Sequence, residues 1–188
     1  MKKKIIILAG GISKERLISL ETAKSVYKEL KKNKKYKSII VEPDEKFLKK
    51  INIFKPHIIF NALHGQFGED GYIQTILESQ KVNYTHSGVL ASSIAMDKEL
   101  SKKIFIKNNI LTPKFIKYDY NKNNKNIISL INKKLGFPVV IKPINEGSSL
   151  GVSICSNEKQ LKSKYKKLIK AYEEIIVEEY IPGKEIQV

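Results

Sequence analysis

Pro138-Val139-Val140-Ile141-Lys142-Pro143-Ile144-Asn145-Glu146-Gly147-Ser148-Ser149-Leu150-Gly151-Val152-Ser153-Ile154-Cys155 is the stretch on which the reading of this chain turns. A short apolar strand delivers Lys142, a loop with two glycines and two serines follows, and a second apolar segment leads away. A lysine at a strand end is a point charge on a fixed base, and such a loop offers N–H groups and hydroxyls to phosphate oxygens. The glycines let the backbone approach a ligand closely. The stretch is not the G-x-x-x-x-G-K-[ST] phosphate loop. From its spacing alone it is either a nucleotide-triphosphate cradle or a hairpin whose Gly and Ser residues serve the turn.

The rest of the chain has to decide. Its 188 residues suffice for one large domain or two modest ones, and 41% of them are hydrophobic, enough for a core. Basic residues number 35 against 19 acidic, a net charge of +16. That invites a nucleic-acid partner. However, Arg16 is the only arginine, whereas base and phosphate recognition leans on the bidentate arginine fork. The excess is also even along the chain, with 17 basic and 10 acidic groups in residues 1–97 and 18 and 9 in residues 98–188. Most lysines are therefore expected on solvated surfaces, with no nucleic acid bound.

Cys155 stands alone, which excludes an internal disulfide and fits a cytoplasmic protein. Lys2-Lys3-Lys4 before Ile5-Ile6-Ile7-Leu8-Ala9 imitates a signal peptide, but the apolar run stops at Gly10-Gly11. It is too short for a signal core or a membrane span, and a first buried strand is the better reading.

Strands at 5–9, 38–41 and 57–63 alternate with an amphipathic helix over 17–32, marked by Leu20, Ala23, Val26, Tyr27 and Leu30, and a short helix around Phe47, Leu48 and Ile51. This alternation predicts a parallel sheet. Ligands of such sheets collect beyond the C-terminal strand ends, where Gly10–Glu15 and His64–Gly71 fall. A helix Tyr72–Ser79, a strand Val82–Thr85 and a helix Val89–Met96 complete this half. A new helix near Lys98 is expected to turn Leu100, Ile104 and Phe105 inward. Asn108-Asn109 and Pro113 mark a probable boundary. Beyond it come a strand Phe115–Tyr118, a polar loop Asn121–Asn126, and a helix Ile127–Leu135 closed by Gly136. After the lysine strand follow a helix Glu158–Tyr172, a strand Glu174–Tyr180, and a further strand beginning at Lys184.

Taken together, Gly10-Gly11-Ile12-Ser13-Lys14-Glu15-Arg16, Ala62-Leu63-His64-Gly65 with Gly68-Glu69-Asp70-Gly71, Tyr84-Thr85-His86-Ser87-Gly88-Val89, Met96-Asp97-Lys98, Lys142-Pro143 with Glu146-Gly147-Ser148-Ser149, and Glu178 with Pro182-Gly183-Lys184-Glu185 resemble the D-alanine–D-alanine ligases of the ATP-grasp superfamily. The resemblance runs from end to end, in order and close to the family's spacing.

It implies an α/β fold: a Rossmann-like N-terminal, substrate-side domain over 1–97, then a small α+β ATP-grasp central domain over 98–188 that ends as a third domain begins. It implies ligation of two D-alanines through an acyl phosphate, for peptidoglycan precursor synthesis, with ATP as co-substrate and a homodimer in the cytoplasm. On this resemblance Glu15 would accept from the ammonium of the first D-alanine and His64 would position it. By position alone Glu15 is a helix-capping acid and His64 a strand-end hydrogen-bonding residue. The resemblance also implies that Lys98 and Lys142 hold phosphate oxygens from two sides. Glu146, Gly147, Ser148 and Ser149 form the flap, whose Ser148 joins the hydrogen bonds around Glu15. Glu178 and the backbone of Glu179, Tyr180 and Ile181 face the adenine, and Glu185 the ribose. The family's Mg²⁺ ligands belong to a segment with no counterpart here, so the 188-residue chain is expected to be incomplete for catalysis. The alternatives are an inactive ligand-binding module and a basic nucleic-acid-binding protein.

Overall fold

The computed structural model describes residues 2–119 and 127–186. The expected polar loop Asn121–Asn126 and the last two residues lie outside them. Two compact units are present, Met1–Ala95 and Met96–Val188.

In the first unit, β1 (Lys3–Leu8) is the central strand, flanked by β2 (Tyr36–Val41) and β3 (Ile58–Asn61), both parallel to it. Alternation along β1 decides which helix goes where. Ile5, Ile7 and Ala9 face α1 (Arg16–Lys32), meeting Leu20, Ala23, Val26, Tyr27 and Leu30. Ile6 and Leu8 face the opposite way, against Phe47 and Ile51 of α2 (Phe47–Phe54) and Ile73 and Leu77 of α3 (Tyr72–Ser79). Because both faces are covered, β1 reads as an unbroken apolar run rather than an alternating one. The expected strand Val82–Thr85 is reduced to a single bridge between Tyr84 and Ile59. Asn83 O and Thr85 N still bond across to Ile59, so the segment follows β3 without forming a ladder. Helix α4 (Val89–Met96) ends the unit.

The second unit begins with α5 (Lys98–Lys107), capped by Asp97 Oδ1, which accepts from Leu100 N at 2.9 Å. Its sheet runs β4–β7–β5–β6, all antiparallel, with β4 Phe115–Asp119, β5 Val139–Pro143, β6 Ser153–Cys155 and β7 Glu174–Glu179. One face carries Ile116, Val139, Ile141, Cys155, Ile175 and Val177, buried under α6 (Ile127–Lys134) and α7 (Glu158–Leu168). Described residues Lys184–Ile186 form no strand, contrary to the sequence expectation.

The inward stripe predicted for α5 is also corrected. Leu100, Ile104 and Phe105 remain 45%, 39% and 39% exposed, while the buried residue is Lys102. The helix lies against the sheet's second face, which carries carboxylates, so it turns its cations inward.

Cys155 is fully buried, and burial raises its thiol pKa, which lowers the thiolate fraction at any given pH. An aromatic disulfide reagent should therefore leave the native chain unmodified at neutral pH and titrate one thiol after denaturation. Rapid reaction in the native state would contradict this packing.

Candidate functional site

Two clusters of polar side chains stand out, one in each unit. In the first, the loops after β1 and β3 are tied together by side chain to main chain bonds. Ser13 Oγ donates to His64 O at 2.7 Å and accepts from Glu15 N at 3.1 Å. Ser19 Oγ donates to Ala62 O at 2.7 Å and accepts from Gly10 N at 2.8 Å. The second loop is anchored at Gly68 O, which accepts from Asn61 Nδ2 and Gln74 Nε2, both at 2.9 Å. Asp70 carries its far end, accepting from Phe67 N and Tyr72 N.

Between these loops sit Glu15 and His64. Glu15 is only 9% exposed and occupies the N-cap of α1, yet its side chain makes no capping bond, so the helix-cap role does not account for it. Gly65, at φ +67°, lies against it: a Cβ there would fall 2.7 Å from Glu15 Oε2. The His64 ring is half-buried, with Nε2 3.2 Å from Thr22 Oγ1 and Nδ1 3.9 Å from Glu69 Oε1. Glu69 Oε2 also accepts from Gly65 N at 2.7 Å. Arg16 is already committed, donating to both oxygens of Glu42 at 2.8 and 3.0 Å. The one guanidinium in the chain thus meets a carboxylate, through a single nitrogen.

The second cluster follows from strand register. Phe115, Glu178, Val140 and Ile154 stand in one row across the sheet, and Lys117, Ile176 and Lys142 in the next. Antiparallel partners share a face, so this is the side away from α6 and α7. Glu178 is 4% exposed, and its Oε2 lies 2.7 Å from Lys142 Nζ. Lys102 Nζ approaches Oε1 at 3.2 Å, a charge contact rather than an aligned hydrogen bond. Lys102 also donates to Thr112 Oγ1 at 2.8 Å and to Pro113 O at 2.9 Å.

Lys98, one helical turn before Lys102, donates to Ile144 O at 3.0 Å and to Glu146 O. Its pKa is lowered, first by burial and then by repulsion from Lys142. Burial likewise depresses Lys102, with Glu178 opposing. Two ammonium groups thus pair with one buried carboxylate, and a third, Lys98, lies near enough to be repelled by Lys142, a local excess of positive charge suited to an anion. Lys117 does not join them: it bridges Glu99 and Glu174 at 2.9 and 2.6 Å, and its pKa is raised.

The glycine loop opens from this cluster. Leu150 N bonds Gly147 O, and Val152 N bonds Ser149 O. Ser148 and Ser149 adopt φ of 47° and 58°, a region disfavoured for residues with a Cβ. Gly151, at φ +74°, packs where a Cβ would meet Pro143 at 2.9 Å, so any other residue would be strained and would force Pro143 to shift. Further on, Glu179 Oε1 accepts from Lys114 N at 2.8 Å, and the N–H groups of Glu179 and Tyr180 go to Lys114 O and Pro138 O. Ile181 and Glu185 are exposed.

Lys98, Lys142, Glu146 and Glu178 are thus brought together within one unit, and Glu15 and His64 within the other. Lys102 is the member that sequence reading passed over as a solvated lysine. Its signal was the four-residue spacing from Lys98 on one helix face.

The family described as "D-ala D-ala ligase C-terminus" matches residues 108–188. The D-alanine--D-alanine ligase of Pelagibacter ubique is 67% identical over 188 residues, 100% of this chain and 61% of that protein. The D-alanine--D-alanine ligase of Wolbachia pipientis wMel is 45% identical over 97% of this chain and 56% of that protein. The chain therefore spans less than two thirds of these curated relatives. The crystal structure of the Bacillus anthracis D-alanine--D-alanine ligase superposes with a TM-score of 0.85 at 36% identity, covering 96% of this chain and 58% of that one. Its complex with ATP gives a TM-score of 0.83 at 34% identity, covering 96% and 60%.

If Glu178 is what makes the buried Lys102 tolerable, Glu178→Leu should cost about 3–5 kcal/mol in urea unfolding, because an uncompensated cation is left behind. The double variant Lys102→Met with Glu178→Leu should recover most of that loss. Equal losses in both variants would refute the pairing.

Proposed function

The chain belongs to the D-alanine–D-alanine ligase family, and on that premise we propose that it works in the ATP-dependent joining of two D-alanines. The observation that carries this reading is the pairing of Lys102 and Lys142 with Glu178 beside Lys98, which donates to Ile144 O and Glu146 O where the glycine loop begins.

The reaction is as follows. A carboxylate oxygen of the first D-alanine attacks the γ-phosphorus of ATP, forming an O–P bond while the bond to the β,γ-bridging oxygen breaks and ADP leaves. The amine of the second D-alanine then attacks the acyl carbon, the C–N bond forms, phosphate departs and the amine gives up a proton. A free carboxylate is a poor electrophile, which is why it must first be phosphorylated.

Phosphoryl transfer is accelerated chiefly by positioning and charge compensation. Lys98 and Lys142 supply that compensation at the phosphate oxygens. The backbone of Glu146–Ser149 cradles them, and the Ser148 hydroxyl contributes from the loop, whose closure excludes water from the acyl phosphate. Glu15 receives the ammonium of the first D-alanine, and His64 fixes its orientation. Glu178 lies below the adenine, with Val140 and Ile154 of the same strand row offering apolar contact. Since the N–H groups of Glu179 and Tyr180 are already engaged, adenine recognition along Glu179–Ile181 falls to carbonyls and the Ile181 N–H. Glu185 takes the ribose hydroxyls.

Among the described residues no group of three or more His, Cys, Asp or Glu side chains gathers to hold a metal ion. Mg²⁺ has no such donor set among the described residues. Nor is any described helix long and apolar enough to cross a membrane. The same reading takes the protein to be a cytoplasmic homodimer that supplies a peptidoglycan precursor.

Extended to the length of its relatives, the protein should release phosphate from ATP when D-alanine is added and stay silent with L-alanine. Equal release with both enantiomers would reject the substrate, and none with either would reject the activity.

A further inference from the structure

Lys102 has a more specific part in this cluster than filling space. Its ammonium donates to Thr112 Oγ1 at 2.8 Å and to Pro113 O at 2.9 Å, and it lies 3.2 Å from Glu178 Oε1 in a charge contact. Its Nζ also lies 5.4 Å from the centre of the Phe115 ring. The side chain is 7% exposed, so it is held on every side. Stability alone does not call for such a residue, since buried ion pairs are commonly replaced by apolar side chains at no loss.

The opposite oxygen of the same carboxylate holds Lys142 at 2.7 Å, and Lys142 is 21% exposed, the more open of the two lysines. Glu178 is therefore clamped between an anchored cation and a more accessible one. Were Lys102 absent, the whole charge of Glu178 would fall on Lys142 and hold it against the sheet.

We propose that Lys102 is a positioning residue for the phosphate-binding Lys142: by sharing the charge of Glu178 from the buried side, it leaves Lys142 oriented by that carboxylate yet available to an incoming triphosphate. The ammonium of Lys142 keeps one proton on Glu178 and presents the others outward. Lys102 itself touches neither substrate. The inference rests on the ligase reading above.

The test uses the protein extended to the length of its relatives, with ATP turnover followed in the presence of D-alanine. Lys102→Met should raise the KM for ATP about tenfold and leave kcat within about twofold, the pattern of lost binding rather than lost chemistry. In a Glu178→Gln background the same substitution should raise KM by less than about threefold, because the carboxylate it acts through is gone. Lys102→Arg, which keeps the charge, should restore at least half of the lost affinity. Urea midpoints measured alongside separate folding from binding. An unchanged KM in Lys102→Met, or an equal rise in both backgrounds, overturns the inference while the ligase reading stands. A wild-type protein inactive towards ATP and D-alanine fails at the earlier step and removes the premise of both.

Discussion

A carboxylate with almost no contact with water, Glu178, organises the second unit. Taking it out of solvent is costly unless it is paired, and it is paired twice, with Lys142 and Lys102. Those pairings explain why α5 presents lysines rather than leucines to the sheet. They also link three parts of the chain far apart in sequence: α5, β5 and β7. The glycine loop leaves directly from β5, so its starting point is held by the same set of charges.

The first unit solves a different problem with neutral groups. Two loops must stand side by side at the ends of parallel strands, where no ladder continues. Ser13 bridges them by donating to His64 O, and Ser19, from the first turn of α1, ties Gly10 N to Ala62 O, while Asn61 and Gln74 hold Gly68 O. Serine hydroxyls suit this because they donate and accept at once. The result keeps Glu15 and His64 close to rigid strand ends rather than on free loop tips, as a precise site requires.

How much of this was legible beforehand differs by element. The uninterrupted apolar run of β1 and the stripe Leu20, Ala23, Val26, Tyr27, Leu30 announced a sheet covered on both sides, because burial writes itself into periodicity. The strand that delivers Lys142 was legible for the same kind of local reason. What failed was the inside of α5. A helix packing on a charged surface inverts the usual apolar stripe, and only the three-dimensional register that sets Glu178 opposite Phe115 and Val140 reveals the inversion. Val82–Thr85 was misjudged because its backbone bonds reach Ile59 without a second rung. The ordering of candidate site residues by kind was readable from the chain; their pairings were not.

Gly65 carries a consequence of its own. The nearest oxygen of Glu15 lies 2.7 Å from where the first carbon of any side chain at this position would go. The carboxylate is located, in effect, by a missing methyl group. Even a methyl group at residue 65 would strain a backbone at φ +67° and oblige the Glu15 carboxylate to move from its seat.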